Sequence, residues 1–411
     1  MKRFYHILAL TGILYSQPVF SDVSVNSNLG KPDPDYRPYT LIEVYNPRDI
    51  DAVKETVEID MCNIPRINQS FYYILDAAHR EIPSQITYDN KIIFKCDLKA
   101  KNKTVFKLMG DSVPHEYKVT VNGKVYPERA DDLAWENELG GYRIYGPATR
   151  RKGEKAFGND IFFKHPKSEL ILPILYNNAT SKENHRKLDS LKKVDPVAAK
   201  KFSREISFHY DHGLGMDCYA VGPTLGAGAV ALLKNDSLIH SWCYEKVRIL
   251  DAGPLRFSCK IEYYPIKLDG NNLIREECIL SLDSESHLNH CSIKYPDLIN
   301  NAKIVTGFPI RDSSEVYKDS TFTIIAYSHP TQRKDSGRVM LGMVLGTKPD
   351  KIIMKNGHVL AELPLGPNDE MEYLWGFAWD REYDGDFEQW KKYLNEYRNK
   401  LALPLEIQIR K

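Results

Sequence analysis

The feature that most limits how this 411-residue chain can fold is a rhythm of short apolar runs, most of them stopped by Pro, Gly, Asn or Asp. Partial alternation of apolar and polar side chains belongs to strands with one buried face, and punctuation at this spacing belongs to antiparallel sheets. A first series occupies 41–45, 57–61, 72–75, 91–95, 103–108 and 117–121. Asn122-Gly123 then predicts a hairpin from 117–121 onto 124–126. A second, longer series runs through 229–233, 244–250, 255–263, 274–282, 288–295, 321–327 and 339–345. The rhythm stops between 181 and 204, where eight Lys/Arg stand against three Asp/Glu around Pro196, the pattern of a solvated helical connection. It stops again near the end, where Phe387, Trp390, Tyr393, Leu394, Tyr397 and Leu401 recur at three- and four-residue steps. That spacing draws an amphipathic helix over 384–401 with an aromatic face for the sheet. The expectation is an all-β chain with a β layer or subdomain over 22–125. The main antiparallel sandwich follows over 126–411, with a helical insertion near 181–204 and the C-terminal helix.

The first residues set the compartment. Met1-Lys-Arg3, an apolar run over 7–14 and Ser21 before Asp22 form a secretory signal over 1–21, too short in its apolar part to span a bilayer. The expectation is an exported, periplasmic protein with no membrane span. A formal charge of +1 lacks the basic excess of a nucleic-acid binder. The 25 Tyr, 15 Phe and 5 Trp suit a carbohydrate partner, whose sugar faces stack on rings, although sheet cores also use them. Trp135, Trp242, Trp375 and Trp379 are the stacking candidates. Seven cysteines without CxxC pairs read as small buried hydrophobes, with one or two disulfides left open.

The polar chemistry concentrates in 208–229, FHYDHGLGMDCYAVGPTLGAGA. His209, Tyr210, Asp211, His212, Asp217 and Tyr219 are side chains that move protons. The glycines among and after them permit turns and close backbone approach. A second polar stretch, 129–147, holds Trp135, Glu136, Asn137, Tyr142, Arg143 and Tyr145. Arg143 there is either an ion-pair partner of Asp131, Asp132 or Glu136, or a two-point clamp for a substrate carboxylate.

Taken with EIPSQ at 81–85, the segments YRIYGP at 142–147, GLGMDCYAVG at 213–222 and LGAG at 225–228 resemble a family of exported bacterial proteins catalogued only as a domain of unknown function. That family occurs among genes for polysaccharide breakdown and is related to the oligosaccharide 4,5-dehydratase of ulvan degradation. The resemblance implies a β-supersandwich like that of galactose mutarotases and of the sandwich domains of polysaccharide lyases. It also implies removal of water from a non-reducing-end uronic acid to give a 4,5-unsaturated residue, a carbon-oxygen lyase reaction on an acidic oligosaccharide. No residue role comes with it.

First principles supply the roles. Elimination across C4 and C5 needs a group that neutralises the carboxylate, a base for the C5 proton and an acid for O4. Arg143 and Asn137 are the carboxylate candidates, and His209 and His212 the base or acid. Tyr142, Tyr210 or Tyr219 serves the remaining proton transfer, while Glu136, Trp135, Tyr145 and Asp217 line the substrate. No cofactor is required. The alternatives are a lyase expelling a sugar, a hydrolase using two of Asp132, Glu136, Asp211 and Asp217, a mutarotase-like epimerase, and a non-catalytic module. A divalent metal on His209, His212, Asp211 and Asp217 is the alternative cofactor.

Overall fold

A computed structural model describes residues 39–65, 69–165, 169–268, 272–321, 323–333, 335–383 and 386–410. The signal segment expected over 1–21 lies outside them. Strand is the main regular structure of the described chain, ahead of helix, and forms antiparallel sheets.

The first unit is two sheets face to face. One runs in the order Glu406–Arg410, Tyr39–Tyr45, Lys103–Asp111, Phe71–Leu75, Glu81–Ile82, and the other sets Lys91–Leu98 between Ala52–Asp60 and Ser84–Ile86. Ile42, Val44, Val57, Ile59, Ile92, Phe94, Phe106 and Leu108 fill the space between them. The unit is not confined to the expected 22–125, because its edge strand Glu406–Arg410 comes from the far end of the chain and pairs Ile42 with Ile409.

The expected hairpin at Asn122-Gly123 does not form. Asn122–Tyr126 is one strand, paired with Asp132–Glu136, and 117–121 carry no strand. Packing explains the difference. A Cβ at Gly123 would sit 2.5 Å from Trp135 Cβ and 2.6 Å from the Phe257 ring, so this glycine serves close approach rather than a turn.

The main unit has three larger sheets. The first has the order Asn122–Tyr126, Asp132–Glu136, Gly141–Ile144, Asp160–Lys164, Gly215–Met216. The second has Ser237–Ile239, Val230–Lys234, Ala302–Pro309, His358–Leu365, Lys351–Lys355. The third, of eight strands, runs from Tyr244–Ala252 through Arg256–Tyr263, Glu277–Asp283, Leu288–Lys294, Glu370–Trp379, Arg338–Leu345 and Ile324–Pro330 to Val316–Lys318. They share one core, in which Trp135 stacks on Tyr142 at 5.7 Å and Tyr142 meets Trp375 edge-on at 5.4 Å.

The charged insertion is helical, as Leu172–Thr180, Lys182–Val194 and Pro196–Glu205. Pro196 begins a helix rather than merely breaking one: its missing N–H falls where no partner exists, and Asp195 accepts from Val197 and Ala198 N–H. The C-terminal helix is Phe387–Ala402, capped by Asp386. Trp390 and Leu394 insert over Gly342, and Trp390 Nε1 donates to Leu341 O at 3.1 Å. All seven cysteines are free thiols, and only Cys62 is exposed.

Candidate functional site

Antiparallel register brings Arg143, in the middle of Gly141–Ile144, opposite Asp160. Arg143 Nε donates to Asp160 Oδ2 at 3.0 Å, and Nη2 donates to the same oxygen and to Asp217 Oδ2 at 2.7 Å. Tyr145 O–H completes the knot by donating to Asp160 Oδ2 at 2.7 Å, and Asp132 Oδ2 lies 3.6 Å from Nη1. The rings of Tyr145, Phe162 and Phe208 wall the guanidinium, which is 2% exposed. Three carboxylates thus surround one cation away from water. Burial pushes Asp132 and Asp160 up to about 6, while Asp160, Tyr145 and Asp217 hold Arg143 charged against its own desolvation. Arg143 is therefore an internal ion-pair partner and not a surface clamp, because no substrate carboxylate reaches a guanidinium so enclosed.

Asp217 is the outward end of this cluster. His209 Nδ1 stands 3.2 Å from Asp217 O and 3.5 Å from Asp217 Oδ2, and half of its side chain is exposed. The Asp217 carbonyl and carboxylate beside the ring nitrogen can orient the imidazole. Next in sequence, the Tyr210 ring lies under Arg333, at 3.7 Å, with Arg204 at 5.7 Å. Hydrogen bonding from Arg333 draws the Tyr210 phenol below its ordinary value, against a small effect of burial.

Asp211 points the other way. Its Oδ1 accepts from Gly213 N–H at 2.8 Å and Gly215 N–H at 3.2 Å, and its Oδ2 meets His165 Nε2 at 2.8 Å. His165 Nδ1 is bonded in turn to Glu382. Burial alone would lower His165, but the Asp211 and Glu382 carboxylates outweigh it and hold the imidazole above its usual value. His165, Glu382, Arg204, Arg333 and Asp160 were not anticipated from sequence. The partners of His165 lie far along the chain, 46 residues away for Asp211 and 217 for Glu382, so no local pattern marked that tie.

The other sequence candidates sit elsewhere. His212 Nε2 lies 3.0 Å from Arg204 O and 3.2 Å from Ser207 O, where it satisfies carbonyls at a helix end. Tyr219 is buried in the main core. Trp135 donates to Asn289 Oδ1 at 2.7 Å and Tyr142 O–H to His287 O at 2.9 Å, both inside the core. Glu136 accepts from Lys164 Nζ, Ile171 N–H and Leu172 N–H. Asn137 Nδ2 donates to Asp283 O and Ser286 O. These buried side chains are structural, since a group without surface cannot touch a sugar. Trp375 and Trp379 are excluded as stacking platforms for the same reason.

The metal alternative does not assemble. His212 and Asp211 are turned to other partners, and among the described residues no group of three or more His, Cys, Asp or Glu side chains is placed to hold an ion. Two concavities, of about 480 Å³ along Lys246, Arg248 and Lys260 and about 270 Å³ along Tyr317, Arg338 and Phe387, lie away from 209–211. What the fold assembles at 209–211 is an open surface site: a histidine backed by a buried carboxylate, a tyrosine under two arginines, and a carboxylate–histidine–carboxylate tie beside them.

Comparison with solved structures shows the fold alone. A glycosyl hydrolase family 38 protein from Enterococcus faecalis superposes with a TM-score of 0.50 at 8% identity, over 91% of this chain and 47% of that one. An alpha-mannosidase from Enterococcus faecalis V583 gives 0.48 at 9% identity, over 91% and 46%. The chain thus spans about half the length of these proteins. A curated relative of nearly matching length, the uncharacterized protein P7 of Formosa agariphila, is 26% identical across 93% of this chain and 96% of its own. Residues 44–407 match the family model for the domain of unknown function DUF4861, and the chain belongs to that family.

Proposed function

We propose that the protein is an oligosaccharide dehydratase that removes water across C4 and C5 of a non-reducing-end uronic acid, as in fragments of ulvan, and leaves a 4,5-unsaturated residue. The observation that carries this reading is Tyr210 under Arg333 and Arg204, next to His209. Arg333 and Arg204 take the role first expected of Arg143 and Asn137: they neutralise the uronate, so that its C5 proton becomes acidic. The Tyr210 phenolate takes the C5 proton, the electron pair forms the C4–C5 double bond, and O4 leaves with a proton from the His209 imidazolium as water. Charge balances, because one anion and one cation become a neutral phenol and a neutral imidazole. No cofactor enters these steps.

We read the main unit as a supersandwich of galactose-mutarotase type, and an exported, periplasmic protein as the setting. The likeness to a glycosyl hydrolase family 38 protein supports a carbohydrate-processing scaffold and does not select the reaction. A uronate-ended ulvan oligosaccharide incubated with the protein should lose one water with its chain intact by mass spectrometry and gain the ultraviolet absorbance of a conjugated enoate. Tyr210→Phe and His209→Ala should each lower kcat by about 10²-fold or more. Equal turnover of the methyl ester would rule the mechanism out, and chain cleavage would replace dehydratase with lyase or hydrolase.

A further inference from the structure

Of the five tryptophans, Trp135, Trp375, Trp379 and Trp390 are buried, and Trp242 alone keeps part of its surface in solvent. It does not stand alone. Phe157, itself partly exposed, lies 5.6 Å from Trp242 and 4.9 Å from His240, so three rings adjoin at the surface. Their seat is rigid. Phe157 N–H donates to Gly222 O at 3.2 Å, Ala227 N–H donates to Asn159 O at 2.9 Å, and Gly158 lies so close to the Leu225 backbone that a Cβ would collide with it. Phe157 is thereby tied to the glycine-rich stretch that also carries His209 and Tyr210. Only Gly158 and Asn159 separate it from Asp160 of the buried cluster, at most about 11 Å of chain.

The patch carries no charge of its own at neutral pH. Burial and the neighbouring His358 bring His240 down to about 4, which leaves it a neutral ring with hydrogen-bonding nitrogens. Positive charge stands beside the rings instead: the exposed Arg150 lies over the Tyr264 ring at 4.4 Å, and Tyr264 N–H donates to Cys243 O next to Trp242. Flat apolar faces suit the C–H face of a pyranose, and a guanidinium beside them suits a carboxylate or sulfate on the same sugar.

We propose that Trp242, Phe157 and His240 form a second sugar subsite that stacks an inner pyranose of the oligosaccharide, with an anionic substituent directed to Arg150. The subsite rests on the functional reading above only in taking the oligosaccharide to be acidic. The test is acrylamide quenching of tryptophan fluorescence with saturating ulvan-derived tetrasaccharide, with the corresponding disaccharide, and with neutral xylotetraose, while water loss is followed by mass spectrometry. The tetrasaccharide should at least halve the quenchable fraction, the disaccharide should leave it unchanged, and Trp242→Phe should abolish most of it. Trp242→Ala and Phe157→Leu should raise KM for the tetrasaccharide by about five- to tenfold and leave that for the disaccharide unaltered.

Water loss with Trp242 still fully quenchable would overturn the subsite and leave the dehydratase intact. Protection by the tetrasaccharide without water loss would support the subsite and overturn the dehydratase. Protection by xylotetraose as strong as by the acidic sugar would overturn the assignment of Arg150, and protection by neither would overturn the subsite.

Discussion

Arg143 Nη2 stands 2.7 Å from Asp217 Oδ2, and through that contact a guanidinium with almost no surface reaches a histidine at the surface. Arg143→Lys should therefore act twice. An ammonium cannot serve Asp160 and Asp217 together in the same geometry, so folding should weaken by roughly 3–5 kcal/mol, the range for a broken buried pair. Among molecules that remain folded, kcat should fall while KM changes little, because His209 loses its orientation and not its contact with substrate. Denaturant midpoints and activity normalised to folded protein separate the two effects.

Glu136 and Lys164 make the second prediction. Lys164 Nζ lies 2.9 Å from Glu136 Oε2, both side chains are enclosed, and Glu136 also accepts the N–H groups that open the helix Leu172–Thr180. Glu136→Ala leaves an unpaired buried ammonium and two orphaned amides, and should cost about 3–5 kcal/mol. An unchanged unfolding midpoint with a raised KM would restore Glu136 to the substrate-binding role read from sequence.

The tie through His165 should depend on pH. Its imidazole is held above the ordinary value, so its contribution is complete below about pH 6.5 and is lost as pH rises through the higher folded value. Asp211, held below its ordinary value where His165, Gly213 and Gly215 outweigh its burial, works in the opposite direction and loses its contribution only in acid. Asp211 and Glu382 are the charged groups bonded to the ring, with Trp379 packed beside it at 5.4 Å. Hydrogen exchange of the Gly213 and Gly215 amides should accelerate above pH 6.5 by more than intrinsic base catalysis requires. His165→Gln should remove that excess.

Tyr210 gives a kinetic counterpart. Because the Tyr210 phenolate and the His209 imidazolium are needed together, kcat should trace a bell against pH, with its alkaline limb below the ordinary 10 because Arg333 favours the phenolate. Arg333→Gln should move that limb upward in pH and raise KM for the uronate. A limb that stays in place would remove Tyr210 from the proton transfer.

Trp390 tests the docking of the C-terminal helix. The ring is enclosed against Gly342 and Leu341, so Trp390→Ala should cost about 3–5 kcal/mol by denaturant unfolding.

Much of this fold could be read from local pattern, and the exceptions have physical causes. Strands such as Lys103–Asp111 and Arg256–Tyr263 alternate because one face is buried, and the helix Phe387–Ala402 shows its period because only one face docks. Asn122-Gly123 misled because a glycine demanded by Trp135 and Phe257 looks the same in sequence as one demanded by a turn. The stretch 208–229 was visible as a polar cluster, but the division of labour within it was not. His209 and His212 are three residues apart and of one chemical type, yet one abuts a buried carboxylate and the other satisfies helix carbonyls. Arg143 gave a similar ambiguity, since its burial depends on Phe162 and Phe208 from other segments.

The strand Glu406–Arg410, hydrogen-bonded along Tyr39–Tyr45, has a consequence for the order in which the chain can assemble. Glu43 and Arg410 are 367 residues apart, so a sheet nucleated on Tyr39–Tyr45 has to wait for a strand made much later before that edge is covered, and closing a loop of this span is slow. Until then the backbone edge of Tyr39–Tyr45 is an open template for strands of other chains. The vulnerable species is thus any nascent polypeptide that has not yet reached Arg410, and a holdase chaperone with affinity for an uncovered strand would protect it until then.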